Sequence, residues 1–213
     1  APVQYGAQPN LAFYSKPDGP AENWFELLPR GEIAAARAAI EEAMDHATKD
    51  FIYVGTGMLD AGADGMDFDT TGGAGDADFF STLRAVKQLR EKYPDAGIEV
   101  GMAGEFVIGV HGELEWDGRR LAGLWPAAQV QVCQDAGATI YGPAVNIRTG
   151  KSCAWNAAYA ITVCKPAMEA ARIPVHPNVG EGVGGVPVNG YPPEDAASRA
   201  AKAHVDILKC DGL

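Results

Sequence analysis

Asp69, Glu105, Asn146, His176 and Asn178 carry the side chains that acid–base work on a small polar molecule needs: acids, amides and one imidazole. Their wide spacing makes no local motif, so they can act together only if a repeated strand–loop unit delivers them to one place. A carboxyl group at an apolar mouth is raised toward neutrality and can then exchange protons near pH 7. The same types could ligate a divalent cation, but nothing like H-E-x-x-H accompanies them and no metal is expected. Each residue also fits a plain structural hydrogen bond.

Four other features compete for a role. His111 and Glu113 lie two apart in a polar loop, followed by Glu115 and Asp117; Asp117-Gly118, flanked by Leu114 and Trp116, predicts a small hairpin. Gly72, Gly73 and Gly75 could cradle an anion at a helix start, but Asp76 and Asp78 stand in the same place and read as capping acids. The run Gly180–Gly185, GEGVGG, has dinucleotide spacing; Pro187, Pro192 and Pro193 delay the next helix, so a flexible loop fits better. Lys209 offers a Schiff-base amine, the mark of an aldolase-like alternative, or a solvated lysine.

The elements that must position these residues read as βα repeats. A strand over Val3–Gln8 opens the chain, and Pro9–Arg30 is rich in Pro, Gly and aromatics, as a packed connecting loop would be. A helix follows over Glu32–Ala61, with Ile33, Ala36, Ile40, Ala43 and Met44 on one face and Gly55 and Gly57 weakening its end. A strand around Met66 and Phe68 ends at Asp69, and a helix runs from Asp78 to Tyr93. The stretch Gly97–Pro126 is central: a strand over Ile98–Met102, then the loop bearing Glu105 and His111. Next come a helix over Trp125–Asp135, a strand over Ala138–Val145, and a helix capped by Ser152 and running to Ala171. A strand over Ile173–Val175, a helix over Glu194–His204 and a strand over Val205–Leu208 close the chain.

Strands recurring at roughly 30–40 residues are the period of βα units joined by right-handed crossovers. Site residues follow every strand rather than one switch point, which favours a TIM (β/α)8 barrel over a doubly wound sheet. About six strands are legible where a barrel has eight, so 1–213 is expected to be a single, partial barrel domain.

A chain of 213 residues with 47% apolar content can bury a sizeable core. Its net charge of -11 argues against nucleic acid and anionic membranes as partners. Without a spanning run or a leader, a cytoplasmic setting is expected. Cys133, Cys153, Cys164 and Cys210 form no C-x-x-C and read as reduced thiols.

The segments YGAQPNLAFYSKPDGPAEN, ADGMDFDTTGGAGDADFFSTLRA, GMAGEFVIGVHGELEWDGRRLAGLWP, GPAVNIRTGKSCAWNAAYAITVCK and IPVHPNVGEGVGGVPV resemble the dimethylamine methyltransferase family of methylotrophic methanogens. The resemblance spans nearly the whole chain. It implies a TIM-barrel enzyme that moves a methyl group from dimethylamine to the Co(I) of a separate corrinoid protein, leaving monomethylamine. No cofactor would be bound by the chain directly, since the corrinoid belongs to the partner; coenzyme M is methylated later by another enzyme. For the transfer from dimethylamine we infer Glu105, Asp69 and His176 as the catalytic set, the acids as supports and His176 as proton carrier, with Asn146, Asn178 and His111 binding substrate.

The family also implies pyrrolysine, an amber-encoded residue whose imine ring captures the amine. None occurs among the 213 residues; its expected place follows the segment Val205–Leu213, so the chain is expected to be a fragment ending at an in-frame amber codon. A homo-oligomer is expected at full length. A relative without pyrrolysine that demethylates another amine, and a non-catalytic module that docks a corrinoid protein, stay open as alternatives.

Overall fold

The structure, a computed structural model, describes residues 9–145, 154–177 and 194–213. The predicted strand Val3–Gln8, the cap Ser152 and the loop Gly180–Gly185 lie outside them.

The predicted connecting loop Pro9–Arg30 is partly helical. A 3-10 turn, Leu11–Tyr14, precedes α1 (Trp24–Leu27) and a second 3-10 turn, Leu28–Arg30. Asn10 caps the first turn and Asn23 caps α1, each accepting from a backbone N–H two residues on. Trp24 is buried, so this segment packs against the body.

Helix α2 (Ile33–Asp60) buries Ala36, Ile40, Ala43, Met44 and Phe51, while Ile33 is exposed. It runs through Gly55 and Gly57 without breaking. The reason at Gly55 is packing: a Cβ there would lie 2.7 Å from Leu89 Cδ1 and 2.9 Å from the Met66 sulfur. Glycine permits the close approach of three elements, and the helical cost is offset by burial.

β1 (Gly65–Thr71) continues past Asp69 rather than ending there, with its register against the next strand shifting between Phe68 and Thr71. α3 (Asp76–Lys92) starts two residues earlier than predicted. β2 (Gly97–Met102) follows, then the small hairpin β3 (Glu115–Trp116) and β4 (Arg119–Arg120), with Asp117 and Gly118 both at positive φ, as its tight turn demands. α4 (Pro126–Ala136) leads to β5 (Ile140–Gly142), which is shorter than predicted. α5 (Ala154–Ala170) and α6 (Glu194–Ala203) complete the helices. Of the predicted strand Ile173–Val175, Val175 alone pairs, bridging to Tyr141.

The predicted strand Val205–Leu208 is instead a π-helical turn, His204–Leu208. His204 and Leu208 are fully buried while Val205 and Ile207 are half-exposed. Spacing of four places the two buried side chains on one helical face, and that burial outweighs the β preference of Val and Ile. The tie to Val175 comes three residues later. Asp211 N–H donates to Val175 O at 3.1 Å, and Asp211 Oδ2 accepts from Val175 N–H at 2.9 Å.

The sheet is parallel, in the order β1-β2-β5, and Val175 adds on the β5 side as an isolated bridge to Tyr141. Strand order follows chain order with no reversal. Consecutive helices α2 to α6 touch in sequence. The described residues thus make a mixed α/β fold wound in one direction, and no closed barrel forms among them. Phe68, Ile98, Val100, Tyr141 and Val175 face the helices and share one core with Phe51, Phe79, Leu83 and Leu89. No helix among the described residues is long and apolar enough to cross a membrane.

Candidate functional site

The other face of the sheet is polar. Alternation puts Ile98, Val100 and Met102 of β2 into the core, so Gly97, Glu99 and Gly101 point the opposite way. Asp67 stands opposite Glu99 in register. A Cβ on Gly101 would sit 3.4 Å from an oxygen of both Asp67 and Asp69; one on Gly142 would sit 3.1 Å from Glu99 Oε1. Glycines therefore clear the floor on which three carboxylates lie. His176, one residue after Val175, brings Nδ1 to 3.2 Å from Glu99 Oε1.

Desolvation raises the Asp67 carboxyl to about 7, helped by repulsion from Glu99 and Asp69. The charge of His176 and a hydrogen bond from the Gly101 backbone act against the rise. Asp67 can therefore hold or release a proton near neutrality, beside an imidazole whose Nδ1 is engaged by Glu99.

Glu105 follows β2, in the loop at the strand ends. It lines a cleft of about 520 Å³ at the C-terminal ends of β1 and β2, between Gly72–Gly73 on one side and Ala103–Ile108 on the other. The cleft wall is tied inward at several points. Ala103 N–H donates to Thr71 O at 2.8 Å, Val107 N–H to Leu124 O at 3.1 Å, and Asp76 N–H to Ile108 O at 2.7 Å. Gln129 of α4, fully buried, donates to Leu124 O at 2.9 Å and accepts from the Tyr141 hydroxyl at 2.7 Å. Phe106, on the wall, stacks on Trp125 with 5.8 Å between ring centroids.

His111 is buried on the flank of α2, with Nε2 2.9 Å from Glu41 Oε1. The same loop is pinned again by Arg37–Glu113 at 2.8 Å. Asp76 and Asp78, expected as capping acids, make no side-chain cap of α3, whose N-cap is Gly75, and hold the neighbouring loops instead. Asp76 accepts from the backbone N–H groups of Val110, His111 and Gly112, and Asp78 from those of Gly72 and Ala74. An anion cradle at these glycines is thus filled by the protein's own carboxylates.

Of the predicted residues, Asp69 and His176 lie on the polar face, Glu105 in the cleft at its strand ends and His111 toward α2; Asn146 and Asn178 fall outside the described residues. Sequence reasoning misses Asp67 and Glu99. The period-two pattern of GMDFDTT and GIEVGM, apolar on one face and acidic or glycine on the other, is the signal that finds them. Among the described residues no group of three or more His, Cys, Asp or Glu is arranged to hold a metal ion. Lys209, in a left-handed conformation, closes the π turn through its N–H to His204 O. Burial pushes the Cys164 thiol up to about 12, and the Cys133 thiol is raised as well.

A family model described as dimethylamine methyltransferase matches residues 1–213. No solved structure matches the chain.

Proposed function

The chain belongs to the dimethylamine methyltransferase family, and from that membership we propose that it takes a methyl group from dimethylamine for the Co(I) of a separate corrinoid protein, leaving monomethylamine. The observation that carries this reading is the family match along the whole chain. We further propose that the parallel sheet is part of a TIM barrel. Strand order without reversal, helices on one face and carboxylates on the other support it.

Dimethylamine is a cation in neutral water, and a face carrying Asp67, Asp69 and Glu99 attracts it. Its nitrogen must leave as a neutral amine, because an amide anion is far too basic to depart. The corrinoid, bound to its own protein, supplies the nucleophile. This chain's task is to bind the ammonium ion, aim its methyl group outward and keep the nitrogen protonated until the C–N bond breaks. In this proposal Glu105 and Asp69 accept N–H hydrogen bonds from the amine. His176, with Nδ1 engaged by Glu99, handles the proton at Nε2. Asn146 and Asn178 complete the substrate-binding set, whereas His111, expected in it from sequence, is engaged by Glu41 on α2 and takes no part. Pyrrolysine is proposed to follow the segment Val205–Leu213. The placement of Gly212 beside the His176 ring, where a Cβ would be 3.4 Å from Cδ2, supports an approach of that segment to the polar face.

The test is to express the complete gene with pyrrolysine machinery and its corrinoid protein, and to follow methyl-cobalt absorbance with dimethylamine. Methylation with dimethylamine, lost in Glu105→Gln and His176→Gln, is the expected result. Methylation by another amine only, or none with intact pyrrolysine in place, overturns it.

A further inference from the structure

We propose that Asp76 and Asp78 are positioning residues that fix the spacing between the two walls of the Glu105 cleft, and so the fit of a small methylated ammonium ion inside it. The inference rests on the reading that substrate is taken at that cleft. Its structural half stands without it.

The two walls are separate in sequence, Gly72–Gly73 after β1 and Ala103–Ile108 after β2. Both are fastened to the first turn of one helix. Asp78 Oδ2 accepts from Gly72 N–H at 2.9 Å and from Ala74 N–H at 3.4 Å. Asp76 Oδ1 accepts from Val110 N–H at 2.7 Å and His111 N–H at 3.0 Å, and Oδ2 from Gly112 N–H at 2.7 Å. The Asp76 N–H returns a bond to Ile108 O at 2.7 Å, on the cleft wall itself. Asp76 and Asp78 are 0% and 1% exposed, so water competes for neither.

Gly75 lets the two strips meet. Its φ is +84°, and a Cβ there would lie 2.5 Å from Ile108 O and 2.6 Å from Val110 Cγ2. Behind this joint α3 is locked by fully buried Phe79, Leu83 and Leu89. Wall, carboxylate and helix are therefore joined, and two side chains two residues apart add to the backbone tie of Ala103 N–H to Thr71 O in holding the distance across the cleft. Burying a carboxylate without a cationic partner is costly unless backbone donors satisfy it, and here three amides do so for Asp76. An asparagine at 76 keeps one oxygen but turns an NH2 group against a backbone N–H, so one anchor becomes a repulsion. Misplacing a reacting group by about 1 Å can cost on the order of 100-fold in rate.

The experiment uses the complete pyrrolysine-containing protein labelled with 5-fluorotryptophan, with the Trp125 resonance assigned by Trp125→Phe. Trp125 reports on the Ala103–Ile108 wall because Phe106 stacks on it. Asp76→Asn and Asp78→Asn are compared with Asp45→Asn, which breaks the surface Asp45–Arg84 pair away from the cleft. Below the melting temperature, Asp76→Asn is expected to move the Trp125 resonance and both cleft variants to lower kcat/KM for dimethylamine about tenfold or more, with Asp45→Asn unchanged. Should Asp76→Asn not fold, Asp78→Asn carries the kinetic arm. The proposal is overturned if folded Asp76→Asn leaves Trp125 unmoved, or if kcat/KM per folded molecule is unchanged in the cleft variants. A wild-type protein inert toward dimethylamine would sink the functional reading, while the fluorine shift would still decide the positioning.

Discussion

Asp67 and Glu99 face each other across the β1–β2 register on the face the helices leave uncovered. Desolvation first, and then repulsion from the like charges of Glu99 and Asp69, raise the Asp67 carboxyl to about 7. Because this folded-state value is raised above that of an unfolded aspartate, its contribution to stability is complete below about pH 4 and is lost as pH rises through about 7. Wild type should therefore lose melting temperature between those limits more steeply than Asp67→Asn. In a 13C carboxyl titration the Asp67 midpoint should fall in Glu99→Gln. Equal pH slopes for wild type and Asp67→Asn would contradict the relationship.

Gly65 and Gly97 also pair in register, yet they are unequal. A Cβ on Gly65 would meet Gly97 O at 2.4 Å, a backbone atom that cannot swing away, whereas the nearest atom to a Cβ on Gly97 is 3.7 Å distant. Gly65→Ala must spread the strands and should cost at least the 1–3 kcal/mol typical of overpacking. Gly97→Ala should lie within about 0.5 kcal/mol of wild type, as conformationally compatible replacements do. Urea unfolding of both variants distinguishes them.

Gln129 joins β5 to the cleft loop in a buried site, donating to the Leu124 and Glu105 carbonyls and accepting from the Tyr141 hydroxyl. Gln129→Leu leaves the buried Tyr141 hydroxyl without that partner, at about 1–3 kcal/mol, while the Leu124 carbonyl keeps the Val107 N–H. Tyr141→Phe removes one group only. The double variant should be less destabilised than the sum, with a coupling of about 0.5–3 kcal/mol in denaturant midpoints. Strict additivity would show that the bridge does not form.

Much of this architecture is legible in the chain, and the remainder has identifiable physical causes. The alternation of Ile98, Val100 and Met102 and the Asp117-Gly118 turn are local signals, and both structures form where local chemistry puts them. Asp is a poor strand former, so Asp69 reads as a terminus. In fact β1 runs through it because Gly101 opens space for both aspartates. The π turn at His204–Leu208 is decided by tertiary burial of two side chains, which a β-branched run conceals. Asp76 and Asp78 have the sequence of caps; their partners, Gly72 and Val110–Gly112, are brought to them only by the crossover. Glu99 is adjacent to a readable strand face, and nothing local says that His176 will reach it.

The reach of His176 depends on Asp211. The Glu99–His176 pair is itself open, with the imidazole 41% exposed, so it adds little stability and cannot hold the ring by its own strength. The backbone beneath it is held instead. Val175 is fully buried and bonded on both its N–H and its carbonyl to Asp211. Asp211→Ala removes the carboxylate acceptor and leaves a buried N–H with a cost of about 1–3 kcal/mol, while Asp211→Asn retains an oxygen and should lose less. If Asp211 sets the path of residues 175–176, the His176 imidazole resonances in a 1H–15N spectrum should move in Asp211→Ala and remain near wild type in Asp211→Asn. The methyl-transfer rate should follow the same order. Unmoved imidazole signals in a destabilised Asp211→Ala would show that Asp211 holds the strand without placing the ring of His176, whose backbone is also tied by its N–H to Tyr141 O.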